Sequence, residues 1–256
     1  MSESAKVRRF GWKPSLPDVR NHKYGITCSV SLTLPPAIDL RSQCPPVYDQ
    51  IDIGSCTANA LAGLFQFVRT KEKKPNWTPS RLFIYYNERV IENTVNDDAG
   101  AALADGMKVL KNIGAPHESL WWYNTLKFAA KPSNSVYAEA ARHKCSRYLQ
   151  LNNNNIQELK SCVASGYPFV FGFTAYESLE SDQVARSGIL AMPQPNEKAI
   201  GGHAVMCVGY DDNTLSFVCR NSWGPRWGQA GYFTIPYSYV TNTNLCQDFW
   251  TLQIAN

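Results

Sequence analysis

The pattern of apolar residues changes near residue 165, and this change limits the folds available to the chain. Before it, apolar residues recur with the spacing of one helix face, as they do at Ala60, Leu61, Leu64, Phe65 and Val68. After it, Gly, Pro, Asn and Asp separate short β-branched and aromatic runs: YPFVFGF, HAVMCVGY, SFVCRNSWG, GYFTIP and FWTLQI. A run of helices followed by a run of strands predicts an α+β fold with an antiparallel second half.

Five helices are predicted before residue 165. The first begins at Ser55, a suitable N-cap, and should end near residues 71–74, just before Pro75. The second is predicted over PSRLFIYYNERVI and the third over AALADGMKVLKNIGA, where Gly114 is a good C-terminal stop. Two shorter helices are predicted over Val136–Arg142 and NIQELKSCVAS.

Composition excludes several classes of protein. At 256 residues, with 44% apolar and 18% charged residues, the chain is typical of a soluble globular protein. Its net charge of +4 is small, and its one basic cluster, Lys71–Lys74, is interpreted as a solvated helix end, so no nucleic-acid partner is predicted. No apolar stretch is long enough to cross a membrane, and no apolar run follows the basic N-terminus as in a secretory signal.

The eight cysteines are too few for a disulfide scaffold, and none forms a C-x-x-C pair. No Cys/His spacing suits zinc, so no metal or other cofactor is predicted. Without a secretory signal, we expect reduced thiols in a non-secreted protein. One of the eight, Cys56, stands where the first helix begins. Three interpretations of it are open: a buried small apolar residue, half of a disulfide, or a nucleophile.

A nucleophilic role for Cys56 has a physical basis in its surroundings. The positive end of the helix dipole lowers the pKa of a thiol in the first helical turn. His203 could act as the base, since it follows Gly201 and Gly202, which let the backbone approach another group closely.

Three more side chains would complete such a site. The side-chain carbonyl of Asn221 could hold the imidazole of His203 in one tautomer, and Trp223 could shelter that hydrogen bond from water. Upstream, the amide of Gln50 and the backbone N–H of Cys56 could form an oxyanion hole.

Three sequence blocks occur in a fixed order: Q-x₅-C with G-S-C inside it, G-H-A-V, and N-S-W-G-x-x-W-G-x-x-G-Y. His203 lies 203 − 56 = 147 residues after Cys56, and Asn221 lies 221 − 56 = 165 residues after it. Over roughly residues 35–256 the chain resembles the papain family of cysteine peptidases. The resemblance implies a helical left domain, an antiparallel β-barrel-like right domain and an active site between them. It divides the chain into a pro-segment-like region 1–34, a left domain 35–122 and a right domain 123–256.

The resemblance also implies a role for each site residue. Cys56 would be the nucleophile and His203 the general acid and base. Asn221 would orient the imidazole, Gln50 would donate to the oxyanion, and Gly100 would pair with the substrate backbone. The residues expected beside the imidazole, or near the pocket for the side chain two before the cut, are Ala101, Ala102, Gly172, Gly202, Ala204 and Trp223. The small side chains among them predict a roomy, apolar pocket.

Departures from the family pattern bear on the cellular setting. Thr57 stands where the family usually has a tryptophan after the nucleophile. Ile53 and Asp97 stand where the family has two cysteines that form a disulfide, so both halves of that bond are missing. A chain that matures in a reducing compartment would have this pattern. Because papain-like sequences of this kind occur in microbes and large viruses, we expect a cytoplasmic or virion-associated protein.

The leading hypothesis is a peptidase that forms an acyl-enzyme through a Cys–His thiolate pair. The alternatives are a catalytically silent papain-like binding or structural protein, and an acyltransferase. We expect a peptide or protein substrate, no membrane partner, and a monomer. Residues 1–34 are expected to lie along the cleft and inhibit it, because two prolines favour an extended backbone and several residues are apolar; the alternative is a flexible tail. Those apolar residues are Phe10, Trp12, Leu16, Val19 and Tyr24.

Overall fold

The computed structural model describes residues 9–28, 30 and 33–254. The predicted segment 1–34 therefore includes residues 1–8, 29 and 31–32, which lie outside the described residues. The helices are α1 (Tyr24–Thr27), α2 (Cys56–Lys71), α3 (Arg81–Ile91), α4 (Leu103–Lys108), α5 (Asn134–Ala140), α6 (Ile156–Ala164), α7 (Asp182–Ser187) and α8 (Tyr237–Val240). The strands are β1 (Ala37–Asp39), β2 (Arg147–Gln150), β3 (Phe169–Tyr176), β4 (Ala199–Asp211), β5 (Ser216–Arg220), β6 (Tyr232–Pro236) and β7 (Cys246–Gln253).

The helices with the clearest periodicity are confirmed, and their ends have local causes. Ser80 caps α3, since its side chain accepts a hydrogen bond from the backbone N–H of Phe83. Ser55 precedes α2 as predicted, but its side chain does not cap the helix. A π-helical turn continues α4 and ends at Gly114, whose φ of +92° suits glycine. A Cβ on Gly114 would lie 2.0 Å from the carbonyl oxygen of Ala140.

The seven strands form one antiparallel sheet, in the order β2-β7-β3-β4-β5-β6, with β1 paired to β4 outside this path. The antiparallel second half is thus confirmed, and its five predicted runs are β3 to β7. The sheet is not closed into the predicted barrel, because β2 and β6 at its two ends do not pair with each other in the described part of the chain. The division at residue 122 stays a prediction; β1 comes before it and pairs with β4 after it.

Helix α2 is the central element of the molecule. Its residues from Cys56 to Arg69 are all buried, because α3 and α4 pack on one side of it and the sheet packs on the other. The large apolar side chains among them, such as Leu61, Leu64 and Phe65, are fully buried. Each such side chain contributes about 1.5–3 kcal/mol through burial, so the start of α2 has a fixed position in the fold.

The described N-terminal residues follow the surface of the molecule. Trp12 forms a parallel bridge with Ala101. Further along, the backbone carbonyl of His22 accepts a hydrogen bond from the backbone N–H of Gln150 at 2.8 Å. Because Gln150 lies on the edge strand β2, the segment covers part of an otherwise open sheet edge.

Only some of the apolar residues in this segment pack against the protein. Trp12 and Tyr24 are buried, and Phe10 is half-buried against the same core. Leu16 and Val19 are almost fully exposed, so apolar character alone does not identify the residues of the segment that bind.

Candidate active site

Cys56 begins α2, and its side chain is fully buried. Burial raises the pKa of its thiol to about 11, while hydrogen bonds from the backbone of Ala204, Gly11 and Thr57 act in the opposite direction. The position at the helix N-terminus predicts a lowered pKa, whereas the loss of water around the sulfur raises it in the structure. The thiol is therefore protonated at neutral pH while it stays buried.

His203 lies on β4, and its ring orientation is fixed by two contacts. Its Nε2 is 2.8 Å from Oδ1 of Asn221. The backbone N–H of Ser222 donates to the same Oδ1 at 2.8 Å, so this oxygen is an acceptor and Nε2 carries the proton. Trp223 stacks on the ring with 4.8 Å between centroids, which keeps water from the His–Asn hydrogen bond. In the neutral ring, Nδ1 is then the nitrogen that can accept a proton.

Gln50 is buried, and its amide is held in one orientation. Its Oε1 accepts a hydrogen bond from the hydroxyl of Ser222 at 2.6 Å. Its Nε2 donates to the backbone carbonyl oxygen of Arg9 at 2.9 Å and to that of Ile53 at 3.1 Å. The amide NH₂ expected to bind an oxyanion is thus directed at a carbonyl oxygen of the N-terminal segment.

A largely buried ion pair, which the sequence analysis missed, supports the loop before α2. Arg81 donates to both carboxylate oxygens of Glu118 at 2.8 Å and to the backbone carbonyl of Asp49 at 3.2 Å. Its guanidinium lies over the ring of Tyr123, whose hydroxyl donates to the carbonyl oxygen of Gln50 at 2.9 Å. Arg81 follows the helix N-cap Ser80 in the sequence, but no local sequence pattern predicts that it pairs with Glu118.

The backbone of Ala101 pairs with the N-terminal segment. Its N–H donates to the carbonyl of Gly11 at 2.7 Å, and its carbonyl accepts from the N–H of Lys13 at 3.0 Å. Gly100, which was expected to pair with a substrate, has a φ of +71°, and its own N–H donates to the hydroxyl of Tyr85. A Cβ on Gly100 would lie 2.0 Å from the carbonyl oxygen of Gly11, so this glycine permits the close approach.

Trp12 occupies the predicted pocket. A Cβ on Gly172 would lie 1.8 Å from Cε2 of its indole, and one on Gly202 would lie 2.8 Å from Cε3. The backbone N–H of Trp12 also donates to the carbonyl of Gly202 at 2.9 Å. Its Nε1 donates to the carboxylate of Asp248 at 3.2 Å. The space around the indole is therefore bounded by two glycines and a carboxyl group, so it is not purely apolar, and its role as a substrate pocket stays a prediction.

The remaining predicted pocket residues have other contacts. Ala204 contacts the Cys56 sulfur through its backbone, and the N–H of Ala102 donates to Glu92 at 2.7 Å. Asp248 is the pocket residue that the sequence analysis missed. Its only sequence signal is a carboxylate among the buried residues of the last strand, CQDFWTLQ, and nothing nearby in the sequence directs it toward the cleft.

Hydrogen bonds of Asp98 join the two loops in which the sequence lacks both cysteines of the family disulfide. Its carboxylate accepts from the backbone N–H of Gly54 at 2.9 Å and from the hydroxyl of Tyr85 at 2.5 Å. Gly54 directly follows Ile53, and Asp98 directly follows Asp97, the two positions without cysteine. All eight cysteines are free thiols.

The described residues contain no group of three or more His, Cys, Asp or Glu side chains that could hold a metal ion. No helix within the described ranges is long and apolar enough to span a membrane.

Comparison with known proteins identifies the family. The sequence matches the papain family cysteine proteases over residues 34–248. This chain belongs to the papain family of cysteine proteases. Within that family, a peptidase C1-like protein of Acanthamoeba polyphaga mimivirus is 39% identical, over 99% of this chain and 89% of that protein. Cathepsin K of Gallus gallus is 29% identical, over 77% of this chain and 58% of its own length.

Solved structures of the papain family have the same fold. Xylellain, a cysteine protease from Xylella fastidiosa, is 40% identical, with a TM-score of 0.90 over 100% of both chains. Digestive procathepsin L 3 of Tenebrio molitor is 18% identical, with a TM-score of 0.72 over 91% of this chain and 73% of that one. The predicted papain-like α+β fold is therefore confirmed, and the chain is a papain-like member of the cysteine peptidase hydrolases.

Proposed function

We propose that the protein hydrolyses peptide bonds through an acyl-enzyme on Cys56. The observation that carries the proposal is the orientation of His203: Asn221 engages Nε2, so that Nδ1 is the proton acceptor. Strand β4 brings this ring to the start of α2, since the next residue on the strand, Ala204, contacts the Cys56 sulfur. Family membership supports the same chemistry.

The proposed reaction has four steps. The Cys56 thiol transfers its proton to Nδ1 of His203, and the thiolate attacks the scissile carbonyl carbon. Nε2 of Gln50 and the backbone N–H of Cys56 donate to the oxyanion. His203 protonates the leaving amine, and the same ring then takes a proton from the water that hydrolyses the acyl-enzyme. Gln50→Ala should lower kcat by about 100- to 1,000-fold, the usual effect of removing one oxyanion donor.

Residues 9–15 keep this peptidase latent by occupying the positions that a substrate needs. The carbonyl of Arg9 accepts from Gln50, and the backbone of Gly11 lies against the Cys56 sulfur. Trp12 fills the side-chain pocket, and the ring of Phe10 lies edge-on to the imidazole, 5.8 Å between centroids. A peptide reaches the thiol only after these residues leave.

The substrate is a peptide or protein, and the enzyme acts in a reducing setting, either the cytoplasm or a virion. The eight free thiols support a reducing setting, and the mimivirus relative supports a viral one.

The test uses the full chain and a fluorogenic peptide amide. Phe10→Ala with Trp12→Ala removes one half-buried and one buried aromatic side chain, and the loss of a buried aromatic such as Trp12 costs about 3–5 kcal/mol. Peptide turnover by this double variant should therefore exceed wild-type turnover by at least about tenfold. Leu16→Ala is the matched control, because Leu16 lies on the same segment but is 89% exposed.

The outcomes separate the hypotheses. Turnover that disappears when Cys56→Ala is added to the double variant supports the peptidase. No turnover by the double variant would favour a silent binding or structural protein, and amine incorporation without hydrolysis would favour an acyltransferase. Measurable turnover that is equal in the wild type and the double variant would overturn latency and leave the peptidase standing.

A further inference from the structure

Asp248 is a buried carboxyl group with four hydrogen-bond donors. Its Oδ2 accepts from Nε1 of Trp12 at 3.2 Å, the hydroxyl of Ser15 at 2.7 Å and the backbone N–H of Leu103 at 3.1 Å. Its Oδ1 accepts from Nε1 of Trp250 at 2.6 Å. Two of the four donors thus belong to the N-terminal segment, and two belong to the body of the enzyme.

The backbone directs Asp248 into the cleft. Where β3 pairs with β7, Val170 lies opposite Trp250 and Gly172 lies opposite Gln247, so two residues of β7 face one of β3. This β-bulge includes Asp248, whose φ of +69° is in the left-handed region that is uncommon for residues with a side chain. Bulges and strained residues of this kind occur near active sites, where they change the direction of a side chain.

Departure of the segment leaves this carboxyl group short of partners. The indole of Trp12 and the hydroxyl of Ser15 are lost, while Leu103 and Trp250 still donate. Among the described residues, no cation forms an ion pair with Asp248. Burial raises the pKa of Asp248, and the hydrogen bonds from Ser15, Trp250, Trp12 and Leu103 oppose that rise. The ionised carboxylate is therefore poorly compensated, and a cation entering the pocket would stabilise it.

We propose that Asp248 makes the pocket vacated by Trp12 select arginine, and next lysine, two residues before the cut. The inference rests on the peptidase proposed above. The vacated space accommodates a flat indole between Gly172 and Gly202, and a planar guanidinium on an apolar stem fits the same slot. Its N–H groups replace the two lost donors with charge-assisted hydrogen bonds. This differs from the apolar preference that the small wall residues alone predict.

The catalytic test compares three peptide amides that differ only at the position two before the cut: arginine, citrulline and leucine. Citrulline has nearly the shape of arginine without its charge. The enzyme is the full chain with Trp12→Ala and Ser15→Ala, which vacate the pocket. We expect kcat/KM to be about 10- to 100-fold higher for arginine than for citrulline, the range of a hydrogen bond to a charged group. With Asp248→Asn added, the ratio should fall to near one.

A binding measurement keeps the inference independent of catalysis. In the same variant with Cys56→Ala, calorimetry should give at least about tenfold tighter binding of the arginine peptide than of the citrulline peptide. Equal kcat/KM or equal affinity for the arginine and citrulline peptides would overturn the inference. This comparison does not depend on the folding of Asp248→Asn, because it uses a protein in which Asp248 is unchanged. Tight arginine binding with no cleavage by any active-site-intact variant would support the pocket and overturn the proposed peptidase.

Discussion

At the scale of single residues, the side chains that would react are already engaged by the protein's own N-terminal residues. Gln50 donates to the carbonyl of Arg9, and the backbone of Gly11 lies against Cys56. The thiol is thus desolvated without a substrate, and desolvation disfavours the thiolate. In the proposed latent state, the segment therefore restricts both access to the nucleophile and its ionisation.

Alkylation of Cys56 should report this state. Because the pKa of the thiol is raised to about 11, the thiolate fraction in the wild type is small at pH 7 and rises continuously toward alkaline pH. Iodoacetamide labelling, followed by mass spectrometry, should therefore be slow at pH 7 and accelerate up to pH 10. In the Phe10→Ala, Trp12→Ala variant, water enters the cleft and the rate at pH 7 should rise. Equal rates at pH 7 in the two proteins would contradict burial by the segment as the cause.

The largely buried pair of Arg81 and Glu118 should matter for stability as well as for the position of Gln50. Arg81→Met leaves the carboxylate without its partner, and breaking a buried pair this way costs about 3 kcal/mol or more. Thermal unfolding should give a clearly lower Tm. Arg142→Gln breaks an exposed pair with Glu139 and should leave the Tm unchanged. Similar melting of both variants would show that Arg81 contributes little.

At the scale of elements, the N-terminal segment is held in a space that two neighbouring strands leave open because each has a glycine there. Gly172 on β3 and Gly202 on β4 have no side chains, and the indole of Trp12 lies in the space that results. A side chain at either position would compete directly with the segment for this site.

Gly172→Ala should therefore open the cleft without any change in the segment itself. Its Cβ would lie 1.8 Å from the Trp12 ring, a separation that atoms do not tolerate, so the indole must leave or the strand must shift. Labelling of Cys56 at pH 7 should become faster than in the wild type. Gly25→Ala is the control on α1, where the added Cβ meets only the flexible end of Glu158. A labelling rate unchanged from the wild type would mean that Trp12 does not shield the thiol.

The elements that could be predicted from the sequence are those with a pattern of their own. Helices α2 and α3 repeat an apolar period over several turns, and the five strand runs are bounded by turn residues. Strands β1 and β2 have three and four residues, too few to show a period. The candidate nucleophile and its partners could be chosen because three motifs occur together. Arg81 and Asp248 could not be chosen in this way, since each forms hydrogen bonds with residues far away in the sequence.

At the scale of the whole molecule, hydrogen bonds connect the two loops that contain Ile53 and Asp97. The carboxylate of Asp98 links the loop before α2 to the loop after α3, and no cysteine is in a disulfide. The stability of the fold should then be independent of redox conditions.

Melting curves with and without dithiothreitol should therefore coincide. Asp98→Ala should lower the Tm under both conditions by the same amount, because it removes acceptors for the N–H of Gly54 and the hydroxyl of Tyr85. Asp97→Ala, one residue earlier, is the control. A Tm that falls on addition of reductant would mean that a cysteine pair stabilises the protein in solution.

Under the proposed latency, residues 9–15 are an inhibitor that belongs to the same chain as the cleft, so their effective concentration there is of about millimolar order. Dilution cannot release them, and a free peptide must compete with that local concentration, which raises its apparent KM. A cut between α1 and β1 would make the same contact bimolecular, although every atom of the interface stays in place. After such a cut, the onset of activity should depend on protein concentration, whereas the latency of the intact chain should not.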